Sequence, residues 1–335
     1  MNERTNMSIP TVSGIILFTL CVLPGCSSVT PEKKPQGPNT RVYVANESSN
    51  TVSVLDGDTF QGITEIDTLN HAPHDLSLSR DGKKLWVTNL ASGRISVIDT
   101  DSRQTVASIF TGKRSHVVTL TNNNKHAWVA NIAENTVSII DTGNYRILGT
   151  IPVSNGPMGI AFSRDGRFAY ISTKDKMVNV VDTLSHQVIK QIPVGLNPHF
   201  LVLGPDGRIW GTNTGSNDMY VIDPETNTIA GTIEVGPAPQ QIAFALKGTA
   251  GPNAYVTVAG INKVVVVNAT SPTLSIREQI DVADGPNGIW ANSVRTRIYV
   301  GHTKSNNVMV IDTGTSQALA TIQVGRKPIR VVASR

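Results

Sequence analysis

From about residue 40 onward, apolar and polar positions alternate in short runs, as in TVSVLD (51–56) and RISVID (94–99), and each run ends in a polar turn. A period of two predicts β-strands with one face turned toward a core. The runs recur as a larger unit: an aromatic-led strand, a polar turn, a strand closing on aspartate, a third strand, then a Gly/Pro turn. Seven copies read VYVANESSNTVSVLD, LWVTNLASGRISVID, AWVANIAENTVSIID, AYISTKDKMVNVVD, IWGTNTGSNDMYVID, AYVTVAGINKVVVVN and IYVGHTKSNNVMVID. Their closing residues, Asp56, Asp99, Asp141, Asp182, Asp223, Asn268 and Asp312, are 43, 42, 41, 41, 45 and 44 residues apart.

Four short strands in a repeat of that length make one blade of a β-propeller, a sheet that buries both faces against its neighbours around a channel. A solenoid would need capping repeats with a polar outer face, and neither end of the array has one. The first copy opens at Arg41 without the innermost strand of its blade, and the last copy runs on through GRKPIRVVAS, which supplies it. The expected fold is therefore all-β: a seven-bladed β-propeller over residues 40–335, closed by one C-terminal and three N-terminal strands. Residues 329–333 should pair beside residues 41–45, leaving no open sheet edge at the seam.

The tetrapeptides YVAN, WVTN and WVAN, the VSVID-type strands and the SRDG turns at 79–82 and 163–166 resemble the YVTN-repeat β-propellers of bacterial and archaeal surface and periplasmic proteins. The resemblance spans about residues 40–335 and implies a fold rather than a chemistry. Related propellers include DNA-binding periplasmic proteins, surface-layer proteins, haem d1 proteins, the copper-bearing propeller of nitrous-oxide reductase and streptogramin lyases.

The first 25 residues differ from the repeats. A single basic residue, Arg4, precedes an apolar stretch through GIILFTLCVL that ends in LPGC. This resembles the lipobox of bacterial lipoproteins, with Pro24 where that family has a small residue; an ordinary cleaved signal and an uncleaved anchor are the alternatives. The resemblance implies residues 1–25 as a signal peptide, Cys26 as the lipidated N-terminus, and 26–39 as a flexible tether. Ser27 and Ser28 follow the cysteine instead of aspartate, which by resemblance to Gram-negative sorting favours the outer membrane, with the domain facing the periplasm or exterior.

Composition narrows the chemistry. Charged residues are 16% and aromatics 5%, against 28 glycines and 18 prolines, which suits many turns and lean strands. The net charge of +4 is unchanged when the signal is removed, since Arg4 and Glu3 cancel, and it is too mild and dispersed to point to nucleic acid. The basic residues of the expected loop face, such as Lys113, Arg114, Lys174 and Lys327, are not interleaved with aromatics. Both cysteines, Cys21 and Cys26, fall at or before the lipidation position, so thiol catalysis, disulfides and zinc–thiolate sites drop out. The sequence has no GxSxG elbow, P-loop or HExxH helix.

Within the repeat, Tyr43, Trp86, Trp128, Tyr170, Trp210, Tyr255 and Tyr299 share one slot and read as packing between blades. Asn46, Asn89, Asn131 and Asn213 read as turn caps through side-chain to backbone bonds. Departures from the repeat carry more information. The turn from each outer strand to the next inner strand has the form GxxPx, and its last position holds His74, His116, Met158, His199, Gln240, Asn287 and Ile329. A closed ring brings these seven positions to one mouth of the channel.

Imidazole and thioether are neutral ligands for copper and for haem iron, so His74, His116, Met158 and His199 form a candidate metal or haem set. His71, Gln240, Asn287 and His302 are expected on the same face. Two other arrangements are open to the same residues: polar side chains lining a wet mouth with no ligand, or imidazoles turned between blades and kept apart. No carboxylate except Asp75 is visible to orient them, although such partners are usual at metal sites. A lyase or hydrolase at the mouth would need a general base, for which His199 or His302 would serve. The expected function is an envelope-anchored binding or scaffold domain, monomeric, meeting an envelope protein or small ligand on this face. The alternatives are that enzyme, or a protein–protein or DNA interaction module without a cofactor.

Overall fold

The computed structural model describes residues 40–271 and 273–334; the expected signal, Cys26 and the tether lie outside them. The compact unit is Asn39–Arg335. Among the described residues, 28 strands form seven four-stranded antiparallel sheets, and there is no helix. Each alternating run predicted from sequence is a strand of one blade.

The seam closes as the repeat phase requires. Blade 1 consists of Pro328–Ala333 innermost, then Arg41–Asn46, Thr51–Asp56 and Gly62–Asp67. Its register pairs Val42 with Ala333, Tyr43 with Val332, Val44 with Val331 and Ala45 with Arg330. The inner strands of blades 2 to 7 are Pro73–Leu78, Ser115–Leu120, Pro157–Phe162, Pro198–Leu203, Pro239–Lys247 and Pro286–Ala291.

The core lies between neighbouring sheets. The seven aromatics of the shared slot are at most 3% exposed, which makes them packing residues rather than a sugar- or base-stacking ring. Trp210 of blade 5, for example, shares a buried cluster with Val256, Val258 and Val265 of blade 6. Truncating such a tryptophan removes about 3–5 kcal/mol of burial and packing.

The turn asparagines act differently from expectation. Asn46, Asn89 and Asn131 are fully buried, and their Nδ2 groups reach across to Ser53, Ser96 and Ser138 of the third strand at 2.8–3.0 Å, stitching strands rather than chiefly capping turns. Asn213 meets Asp218 in the same way. A second set, Asn50, Asn135, Asn217, Asn262 and Asn306, sits at φ of 53–64° at the end of the same turns. Their Oδ1 atoms accept the N–H of Ala72, Gly156, Ala238, Gly285 and Lys327, the residues just before the next blade's leading proline. Each blade thereby fixes the start of its neighbour's inner strand.

Candidate ligand site at the channel mouth

Three local devices aim the mouth residues. The residue before each inner strand is left-handed in all seven blades, including Ala72, Arg114, Ala238 and Lys327, where a side chain makes that conformation costly. A register shift follows at once, between Pro73 and Asp75 in blade 2 and at the matching places in the other blades, so an extra residue bulges out of the ladder. Bulges re-aim side chains in this manner.

The third device is a hydroxyl on the second strand. Thr88, Ser172, Thr212 and Thr257 accept the bulge N–H of Asp75, Gly159, Phe200 and Gln241. The same hydroxyls donate to the carbonyls of His116, His199, Gln240 and Asn287 in the next blade. Four of the seven mouth residues are thus held by their backbones.

The imidazoles of blades 2, 3 and 5 come together. His74 and His116 have ring centroids 4.4 Å apart, and His116 and His199 5.6 Å. His74 Nε2 lies 3.0 Å from His116 Nε2. The outer nitrogens are engaged as well: His116 Nδ1 donates to the Met158 carbonyl at 2.9 Å, and His74 Nδ1 meets Glu47 Oε2 at 2.9 Å. Met158 therefore serves the cluster through its backbone, and its side chain is half-buried. His199 Nδ1 is buried with no hydrogen-bond partner among the described residues. No three His, Cys, Asp or Glu side chains among the described residues are arranged to hold one metal ion, so the close unit is the pair His74–His116, with His199 set off from it.

Burial holds the His116 imidazole well below its ordinary value, with His74 and His199 adding to the effect. Burial likewise holds His199 down to about 4. Glu47 is pushed up by burial, but hydrogen bonds with His74 and Lys327 outweigh this and keep its carboxyl below the usual range.

Glu47 is the orienting carboxylate that was not recognised from sequence. Its signal was present: the residue after the second strand is Glu47, Leu90, Ile132, Lys174, Thr214, Ala259 and Thr303 in the seven copies, and only one is acidic. Asp75 does not take that role. It faces away from the rings toward Arg330, whose Nε is 3.0 Å from Asp75 Oδ1, with both side chains under 10% exposed. Arg330 also donates to Gln241 at 2.6 Å and lies 5.0 Å and 5.8 Å from the rings of Phe200 and Trp290. This buried layer brings together residues of blades 1, 2, 5, 6 and 7 beneath the mouth. Above it Asn287 donates to Gln240, which donates to the Ala238 carbonyl. Ile329 is buried.

Two residues expected on this face contribute nothing to the cluster. His71 is exposed in its loop. His302 is 0% exposed, and neither of its nitrogens has a hydrogen-bond partner among the described residues. It occupies the slot of the stitching asparagines, which point into the blade, so it does not open on the mouth. At the other end of the ring, a concavity of about 420 Å³ is lined by Pro205, Asp206, Arg208, Pro252, Ala269, Thr270 and Ser271. Its Arg208 and Asp206 pair with each other at 2.6 Å, which leaves that surface little unspent chemistry.

The ring, its repeat phase and its closure define the chain as a seven-bladed β-propeller whose repeats resemble those of the YVTN type. Residues 111–203 match the family model described as YNCE-like beta-propeller. No match was found among curated proteins. Solved structures with the same architecture include hydrazine synthase of Kuenenia stuttgartiensis, 20% identical over 81% of this chain and 92% of that one, with a TM-score of 0.70. The periplasmic gluconolactonase of Pseudomonas aeruginosa is 17% identical over 88% and 99%, with a TM-score of 0.72. The dihydro-heme d1 dehydrogenase NirN, solved in complex with DHE, is 14% identical over 87% and 74%, with a TM-score of 0.66. At these identities the likeness is one of fold.

Proposed function

We propose that this chain is a ligand-binding domain of a bacterial envelope, anchored through Cys26, that receives a small ligand at the imidazole-lined mouth. The observation that carries the reading is the convergence of His74, His116 and His199 from three blades, with the outer nitrogens of the first two already committed to Glu47 and the Met158 carbonyl. Histidines that merely tolerate a wet rim have no need of such fixing. The ligand classes that suit them are copper, haem and small polar organic molecules.

The lyase or hydrolase reading draws on one observation, the Glu47–His74 pair, which has the form of a carboxylate-oriented base. Against it, the Nε2 that would take a substrate proton is already occupied by His116. Of the two bases expected from sequence, His302 is sealed from solvent and His199 is held down to about 4.

Ring proton and carbon NMR signals of the histidines, assigned by single alanine variants of the full chain, test the reading. The panel is Cu(II), Zn(II), haemin, an aldonolactone and a short acidic peptide. At least one member should move the His74, His116 and His199 signals and leave His126 and His186, at the far end of the ring, unmoved. A panel with no selective shift would overturn the proposal. Lactone turnover lost in His199→Ala, with binding kept, would establish the enzyme in its place.

A further inference from the structure

Resting on the reading of the mouth as a ligand site, we infer that its ligand is a single transition-metal ion, copper above all, held by His74 Nε2 and His116 Nε2 as neighbouring ligands. The inference comes from hydrogen-bond polarity. The acceptors at the two Nδ1 atoms are a carbonyl and a carboxylate, neither of which has a hydrogen to give. Both Nδ1 atoms therefore carry hydrogen, and in neutral rings both Nε2 lone pairs aim into the same 3.0 Å gap. Two lone pairs do not face each other across that distance unless a cation lies between them. A metal ion supplies that cation, bound through both lone pairs with no change of oxidation state.

The dimensions select the kind of ion. Metal–imidazole bonds of about 2.0–2.1 Å spanning nitrogens 3.0 Å apart subtend roughly 95° at the metal. That is close to the cis angle of a tetragonal centre, the geometry that Cu(II) prefers, and Cu(II) also heads the affinity order for nitrogen ligands. A haem iron taking both rings as its two axial ligands would hold the nitrogens about 4 Å apart, which this pair does not fit. The outer partners are those of a metal site: Glu47 on one imidazole, a backbone carbonyl on the other, and Lys327 behind Glu47. His199 lies beyond this pair, its ring centroid 5.6 Å from that of His116.

The experiment is a Cu(II) titration of the full chain, produced without a histidine tag, followed by calorimetry and electron paramagnetic resonance. One equivalent should bind, with nitrogen superhyperfine structure from at least two imidazoles. The His74→Ala/His116→Ala variant, checked for folding by circular dichroism, should lose the tight site. Glu47→Gln, which keeps both rings, should weaken it about 10- to 100-fold. Binding unchanged in these variants, or no stoichiometric copper in the wild type, would overturn the inference. If an organic panel member engages the three histidines while copper does not, the metal assignment falls and the mouth as a binding site stands. If nothing engages them, both fall.

Discussion

His302 offers a direct test of the electrostatics within the blades. In the other copies its slot holds Asn46, Asn89, Asn131, Thr173, Asn213 and Val258, none of which titrates. Burial holds the folded imidazole at about 4, against about 6.5 in the unfolded chain. The unfolded state thus binds more protons between those values, so stability is complete above pH 6.5 and is lost as the pH falls toward 4. At pH 5 the loss from this one group is about 2 kcal/mol. For a domain of roughly 300 residues, with an unfolding entropy near 0.6 kcal/mol/K, that is about 3 °C in melting temperature. Melting curves of wild type and His302→Asn at pH 7.5 and pH 5.0 isolate the term, because His116 and His199 titrate in both proteins and cancel. The wild type should lose about 3 °C more than the variant on acidification. Identical responses would refute the reasoning, since a buried neutral imidazole has no other way to escape the linkage.

Removing Asp75 alone leaves the Arg330 guanidinium buried without its counter-charge, which costs about 3–5 kcal/mol and roughly 5–8 °C of melting temperature, while Asp75→Leu/Arg330→Met should melt near the wild type; a double variant no better than Asp75→Ala would contradict this. Thr212→Val strips the Phe200 N–H and the Gln240 carbonyl of their shared partner and should cost about 1–3 kcal/mol in denaturant unfolding. Long-range proton–nitrogen NMR should find the His116 hydrogen on Nδ1, and a signal from the other tautomer would remove the basis of the paired lone pairs.

The fold was legible because a propeller repeats its signal: spacing, alternation and the phase of the two chain ends all encode the same closed ring, down to Val331 beside Val44. The site was legible only in part. The GxxPx position of each copy pointed to His74, His116 and His199, because symmetry alone turns a repeat position into a place. The partners are not repeat positions in the same sense. Glu47 lies on a different turn and meets His74 only across the gap between blades, and Arg330 meets Asp75 only across the seam that joins the two ends of the array. Each is the single acid or cation at its own repeat position, so a comparison of charge by position, copy against copy, would have marked both. His302 misled for the opposite reason: its slot is on the loop side of the sheet, but the side chain there points into the blade.

The closing strand joins these observations. It brings Arg330 to Asp75, the residue next to His74, and the residue just before it, Lys327, pairs with the same Glu47 that orients the His74 ring. Both contacts run from the last residues of the chain to blades built from its first copies. Until the ring closes, Glu47 lacks its cation and the layer beneath the mouth lacks its guanidinium. The imidazole pair is then set only by its own strands. Order at the mouth therefore depends on closure of the ring, which also sets the buried Arg330 layer beneath it.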